Sequence, residues 1–338
     1  MKAVVFLGSG RWEIRDVPDP RVARGDDVLV EVERAGICGT DLHILEDPPG
    51  HPATAGSILG HEYAGRVVEC GRDAGAFRPG ERVVVDPNIP CGACESCRAG
   101  RSNHCSNMTT LGIFRDGGLA RYSVVPARAL HRVAPEVPPE RAALAEPLSC
   151  IYAAVEKAPP RPGDSVVVLG AGPIGLMFVL LYRRMGAGTI LAVEPRELRR
   201  GVARSAGADC VLASSGPEVV EEARKLIPGG ADIVVDAVGL LLPTAVELVR
   251  PGGTVVLFGM IQKGKQAVSQ YDITRKELVI LGSFIQRTAF PRVTRLLEQK
   301  DFPIDRIVSH QLPLARIGEA LQYMREGRAL KVLLDPAV

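Results

Sequence analysis

The chain has 338 residues, 46% hydrophobic and 4% aromatic, with 41 Lys and Arg against 39 Asp and Glu for a formal charge of +2. A single core rarely grows past about 250–300 residues, so two domains are expected. Near-neutral charge without a basic stripe argues against a dedicated nucleic-acid or membrane-surface binder.

The opening "MKAVVFLGSG" holds too short an apolar run for a secretory signal and passes directly into strand-like sequence. Up to about residue 145 the pattern is of short strands between turns: "KAVVF", "DDVLVEVERAGI", "YAGRVVECG", "ERVVVDP" and "RYSVVP" alternate as half-buried strands do. Between the second and third lie "AGICGTDLH" and "LGHEYAG", which carry Cys38, His61 and Glu62, all ligand types that zinc accepts. Glu146 in "AEPLSC" offers a further carboxylate. No spacing rule joins segments so far apart. Taken alone, His61 reads more readily as a hydrogen-bonded strand-end histidine and Cys38 as a buried thiol.

"CGACESCRAGRSNHC" is different, because its spacing speaks for itself. In the cytosol, where thiols stay reduced, Cys91, Cys94, Cys97 and Cys105 are expected to be ligands rather than disulfides. Their C-x2-C-x2-C-x7-C pattern lets one loop, within residues 88–106, wrap a single ion tetrahedrally with no position open to substrate: a structural zinc site. His104 is a competing fourth ligand, and four unrelated surface thiols are the bland alternative. A zinc-ribbon nucleic-acid module would need a basic surface that the composition lacks.

From about residue 150 strands alternate with helical stretches, the pattern of a parallel sheet. Six strands are expected at 165–170, 189–194, 208–213, 231–239, 253–259 and 278–284, the count of a doubly wound dinucleotide-binding domain. The uncharged run 166–182 falls short of the roughly 20 residues that span a bilayer and is broken by Gly and Pro, so a buried strand–turn–helix is expected. Within it Gly170, Gly172 and Gly175 stand in G-x-G-x-x-G register around Pro173 and Ile174, with free N–H groups at the helix start for a pyrophosphate. Glu194 follows about twenty residues on, where a carboxylate accepts from ribose hydroxyls and repels a 2′-phosphate. NAD is therefore favoured. Arg196, Arg199 and Arg200 keep NADP open, although they also suit a solvated helix start or stacking on adenine. The last fifty or so residues hold two amphipathic helical segments and a terminal strand, "KVLLDP". The expected division is 1–149, 150–286, and a return of 287–338 to the first domain, giving an α/β domain beside a mainly-β one.

In that order, "CGTDLH", "GHEYAG", the four-cysteine loop, "AEPLSC" and "GAGPIG" resemble the zinc-dependent medium-chain dehydrogenase/reductase family, which includes alcohol, sorbitol, butanediol and threonine dehydrogenases. The resemblance covers essentially the whole chain. It implies a GroES-like catalytic domain, a Rossmann domain, an active site in the cleft and two zinc ions per chain. It also implies that Cys38, His61 and Glu146 ligate a catalytic zinc, with Glu62 able to take or release a coordination position. Thr40 then corresponds to the hydroxyl that binds the alcohol, His43 to a later member of the proton relay and Asp41 to the carboxylate that orients His61. Val238, Gly239, Phe258 and Gly259 correspond to strand-end residues bordering the nicotinamide.

A glutamate at position 146 resembles the polyol and sugar-alcohol branch, since simple alcohol dehydrogenases usually carry a cysteine there. The polar segment 44–58 suits a hydroxylated substrate, or is simply a surface loop. "GSFIQRTAF" departs from the arginine–tyrosine pair of sorbitol dehydrogenases, leaving Gln286 and Arg287 as candidate contacts to a polar substrate. A polyol, sugar, cyclitol or amino-cyclitol is expected, with threonine or a vicinal diol as the alternative. A reading of another class is a non-catalytic NADPH-binding structural protein of the same fold. Without a recognisable signal or span a cytoplasmic protein is expected, and relatives imply a homodimer or homotetramer.

Overall fold

The computed structural model describes residues 1–262 and 264–338. In chain order it forms β1 (Lys2–Gly8), β2 (Arg11–Asp16), β3 (Asp27–Gly36), α1 (Gly39–Ile44), β4 (Glu62–Cys70), β5 (Arg82–Val85), β6 (Asn88–Ile89), α2 (Glu95–Arg98), β7 (Thr109–Thr110), β8 (Tyr122–Pro126), β9 (Leu130–Arg132), α3 (Pro139–Ala142) and α4 (Ala145–Lys157). Then follow β10 (Ser165–Leu169), α5 (Pro173–Arg184), β11 (Thr189–Val193), α6 (Glu197–Ser205), β12 (Cys210–Leu212), α7 (Glu218–Leu226), β13 (Ala231–Asp236), α8 (Leu242–Leu248), β14 (Val249–Leu257), α9 (Gln270–Arg275) and β15 (Val279–Gly282). The chain ends with α10 (Phe290–Leu297), β16 (Val308–Pro313), α11 (Ile317–Arg325) and β17 (Lys331–Asp335).

Two compact units result, one of residues 1–149, 287–300 and 308–338, the other of 150–286 and 301–307. The return expected for 287–338 is thus interrupted. Residues 301–307 pack with the second unit because Ile304 and Ile307 are buried beside α5 and α6 and Arg184 pairs with Asp301 at 2.7 Å. A strand at Val308–Pro313 and another at Arg11–Asp16 appear that the sequence pattern did not announce.

In the first unit a sheet runs in the order β16-β17-β3-β4-β5-β9, with β8 also paired to β3. Alternation in "DVLVEVERAG" sends Val28, Val30 and Val32 into one apolar core with Val67, Val83 and Leu334. Register then decides where chemistry can occur. Gly36 stands opposite both Glu62 of β4 and Leu333 of β17, so residues just past the end of β3 meet the starts of two strands distant in sequence.

In the second unit the strand order is β12-β11-β10-β13-β14-β15, all parallel. This is the doubly wound arrangement expected, with its switch point between β10 and β13. The central strand "SVVVL" is buried along Val166–Leu169, as parallel strands covered on both faces are. The uncharged run 166–182 resolves into β10, a glycine turn and the start of α5, whose Leu176–Tyr182 are buried. No helix among the described residues is long and apolar enough to cross a membrane.

Segment 287–300 is held to the first unit by Phe290, which stacks on His131 of β9 with ring centroids 4.7 Å apart. Burial pushes the His131 imidazole down to about 4. Between pH 6.5 and pH 4 the unfolded chain therefore binds a proton here that the folded chain refuses, and stability falls as pH falls through that window. His131→Phe keeps the stack but not the titration. It should flatten the acid-side decline in unfolding free energy by on the order of 2 kcal/mol between pH 7 and pH 4, and an unchanged decline in denaturant unfolding would refute the assignment.

Candidate active site

The reactive side chains of the first unit gather where β3 ends and β4 begins. Cys38, His61 and Glu62 bring their ligand atoms within 4.8 Å of one another. Asp41 organises this corner. It is buried in the first turn of α1, accepts the Cys38 N–H at 2.8 Å through Oδ2, and turns Oδ1 to within 3.5 Å of His61 Nδ1. That leaves the other ring nitrogen, Nε2, for the cluster. Burial alone would make His61 less basic, but Asp41 and then Cys38 outweigh it and raise its pKa well above the ordinary imidazole value. Thr40 Oγ1 lies 3.7 Å from Cys38 Sγ.

Glu62 is almost completely enclosed. Its Oε2 accepts from Lys331 Nζ at 2.6 Å, and the same ammonium donates to the Ile37 carbonyl at 3.1 Å. Burial by itself would lower the Lys331 pKa, and the negative charge of Glu62, followed by Cys38, outweighs it and raises it. Gly36 makes room, since a Cβ there would stand 2.6 Å from Glu62 Oε2. Lys331 escaped the sequence reading. Its signal was a lone ammonium opening the apolar strand "KVLL", a position that demands a buried acid.

Glu146 is buried in the first turn of α4, and its charge is felt at Lys331. The carboxylate whose oxygen lies within 4.8 Å of the Cys38 and His61 ligand atoms is that of Glu62. His43 is half-exposed, and its Nδ1 lies 2.8 Å from Glu46 Oε1. Glu46 was also missed, although an acid three residues along a helical turn is a readable pairing. The Arg287 guanidinium donates to the Gly100 carbonyl in the cysteine loop at 3.3 Å. Gln286 is buried in the second unit.

The ligand sulfurs of Cys91, Cys94, Cys97 and Cys105 also lie within 4.8 Å of one another. Backbone N–H groups of Cys91 and Asn107 point at Cys105 Sγ, and that of Cys94 at Cys91 Sγ, all at 3.3 Å. Backbone donors from Cys97 and Ser106 draw the Cys94 thiol down to about 6, whereas removal from water and its sulfur neighbours push Cys97 up to about 12. The four thiols compete for negative charge. A divalent cation at their centre removes the conflict, so this donor set fits zinc.

In the second unit Gly170 has φ +89°, and a Cβ on Gly175 would stand 1.8 Å from the Gly170 carbonyl oxygen. Only glycine lets α5 start so close to β10. Gly172 caps α5, Pro173 occupies its first turn beside half-buried Ile174, and a Cβ on Gly172 would meet only Arg199 Nη1 at 3.6 Å. Glu194 is buried just past β11. Its Oε2 accepts from Ala171 N–H at 2.9 Å and its Oε1 from Arg196 N–H at 3.0 Å, with Arg199 Nη1 3.7 Å away. Arg200 spends its guanidinium on the Pro195 carbonyl at 2.5 Å. Val238, Gly239 and Gly259 line the turns after β13 and β14, whereas the Phe258 ring packs edge-on against Phe178 at 5.1 Å.

Comparison with known proteins agrees with this arrangement. Residues 24–135 match the alcohol dehydrogenase GroES-like domain, and residues 173–299 match the zinc-binding dehydrogenase model. The chain is 36% identical to D-altritol 5-dehydrogenase of Agrobacterium fabrum over 94% of each protein. It is 34% identical to L-threonine 3-dehydrogenase of Pyrococcus furiosus over 98% of this chain and 97% of that one. Among solved structures, a zinc-binding dehydrogenase from Sinorhizobium meliloti 1021 bound to NADP superposes with a TM-score of 0.93 at 35% identity, covering 99% of both chains. Matched by both domain models and 36% identical to a curated dehydrogenase over 94% of each protein, the chain belongs to the zinc-binding alcohol dehydrogenase family.

Proposed function

We propose that this protein oxidises a secondary alcohol of a polyhydroxylated small molecule, or reduces the matching ketone, with NAD as hydride carrier. The observation that carries the reading is the meeting of Cys38, His61 and Glu62 ligand atoms within 4.8 Å. These three, with Glu146 in reserve, would hold the catalytic zinc, and the four clustered cysteines the structural one. When bound, zinc supplies Lewis acidity toward the alcohol oxygen and the nicotinamide supplies the hydride acceptor.

The rest is work for this chain's own residues. Thr40, beside Cys38, hydrogen-bonds the substrate hydroxyl. His43, held by Glu46, takes the proton toward solvent. Asp41 fixes the His61 ring through Nδ1. Lys331 holds the Glu62 side chain in place through its 2.6 Å contact. The first unit thus carries the alcohol chemistry and the second the cofactor, with Gly170, Gly172 and Gly175 at the pyrophosphate. Glu194, fixed by two backbone donors, stands where a 2′-phosphate would meet a buried negative charge, which supports NAD. The NADP bound by the Sinorhizobium meliloti relative keeps the second cofactor in the test.

A polyol is favoured by the altritol dehydrogenase relative and by the polar segment 44–58. The threonine dehydrogenase relative supports threonine as the second reading, and vicinal diols belong to the same screen.

A screen of polyols, cyclitols, sugars, diols and threonine with both cofactors, followed by nicotinamide absorbance, tests the whole. NAD turnover on a polyol is expected, with catalytic efficiency at least about tenfold above that with NADP and a narrowed gap in Glu194→Ala. A clear NADP preference would overturn the cofactor assignment. Elemental analysis should find two zinc ions per chain. Cys38→Ala should keep one zinc and the fold yet lose turnover, while Cys94→Ser should lower the thermal midpoint; turnover surviving in Cys38→Ala would sink the mechanism. Lys331→Met strands the Glu62 carboxylate in the interior and should cost about 3–5 kcal/mol in denaturant unfolding. A loss below 1 kcal/mol would mean Glu62 is neutral or solvated.

A further inference from the structure

β13 ends on Asp236, a carboxylate 2% exposed to solvent and unused by the reading above. Its Oδ1 accepts the N–H groups of Val238 at 2.9 Å and Gly239 at 2.7 Å, and its Oδ2 accepts that of Leu241 at 2.9 Å. Its own carbonyl oxygen accepts the N–H groups of Phe258 at 3.1 Å and Gly259 at 2.9 Å. One residue therefore takes the donors of two separate strand-end turns, one after β13 and one after β14.

The turns interlock. Gly239 has φ +98°, and a Cβ there would stand 2.7 Å from the Gly259 carbonyl carbon; a Cβ on Gly259 would stand 2.2 Å from that of Val238. Val238 also reaches back over the glycine turn, its Cγ2 lying 2.6 Å from where a Cβ on Gly170 would be. Strand order places both turns on the opposite side of the β10–β13 switch point from Glu194, which follows β11. A dinucleotide with its adenosine ribose at Glu194 and its pyrophosphate at Gly170–Gly175 must deliver its other half onto the ends of β13 and β14. Val238 and Met260 stand exposed there and offer an apolar face to a flat ring.

We propose that Asp236 is a positioning residue for the nicotinamide half of the cofactor, acting through the two turns it ties together. This rests on the reading that the second unit binds a nicotinamide dinucleotide. A carboxylate is required because it only accepts, at both oxygens. Asparagine has the same shape but turns one N–H2 group toward backbone N–H, donor against donor.

The test compares NADH, titrated by its fluorescence, with ADP-ribose, titrated by calorimetry, on wild type and Asp236→Asn. ADP-ribose should bind within about twofold of wild type while NADH weakens about tenfold, the loss expected for one unsatisfied buried donor. A purely structural role would weaken both ligands alike; that result, or no change in either, overturns the proposal. Should Asp236→Asn fail to fold, Gly239→Ala pushes the same turns apart sterically and must show the same selective loss of NADH, and equal or absent loss there overturns the proposal equally. Wild type that binds no NADH removes the cofactor reading itself. Wild type that binds it as tightly as Asp236→Asn removes this inference alone.

Discussion

Glu62 and Lys331 are both buried, and a charge in that position is tolerable only when its partner is in place. Their 2.6 Å contact joins the first residue of β4 to the first residue of β17, 269 positions later, and the same ammonium reaches the carbonyl of Ile37 just past β3. Three strand ends are thereby tied at one point. Cys38 is the next residue after Ile37 and His61 the one before Glu62, so the tie that neutralises two buried charges also assembles the reactive corner.

Acidic side chains are concentrated there. Asp41 faces His61, Cys38 lies beside both, and Glu62 adds a second carboxylate, with Lys331 the one ammonium among them. The cysteine loop repeats the situation with sulfur, where one thiol is made acidic by backbone donors and its neighbour is made reluctant. In both places the chain gathers more electron-pair donors than its own protons and cations can satisfy, which is the chemical character of a metal site.

The second unit works by different means. Its working surface is backbone, brought close by glycines that nothing larger can replace, with two buried acids as anchors. Glu194 ties the glycine turn after β10 to the turn after β11, and Asp236 fixes the turn after β13, each by accepting main-chain N–H groups. Rigid N–H groups and fixed carboxylates lose little freedom when a ligand arrives, so the affinity they confer is not spent on ordering the site.

Features encoded over a few consecutive residues were legible in the chain itself. The spacing of Cys91 to Cys105 brings four sulfurs together in one loop, the Gly170–Gly175 register follows a buried strand, and six β-rich segments alternate with helices. Each depends on neighbours in sequence, whose distances the covalent backbone limits. Tertiary structure alone decided that Glu62 stands with Cys38 and His61, that Lys331 pairs with Glu62, that Arg287 turns to the cysteine loop, and that residues 301–307 pack with the second unit. Those outcomes depend on the register of strands hundreds of residues apart and on which buried charge finds its counter-charge, and no local pattern of residue types carries that information.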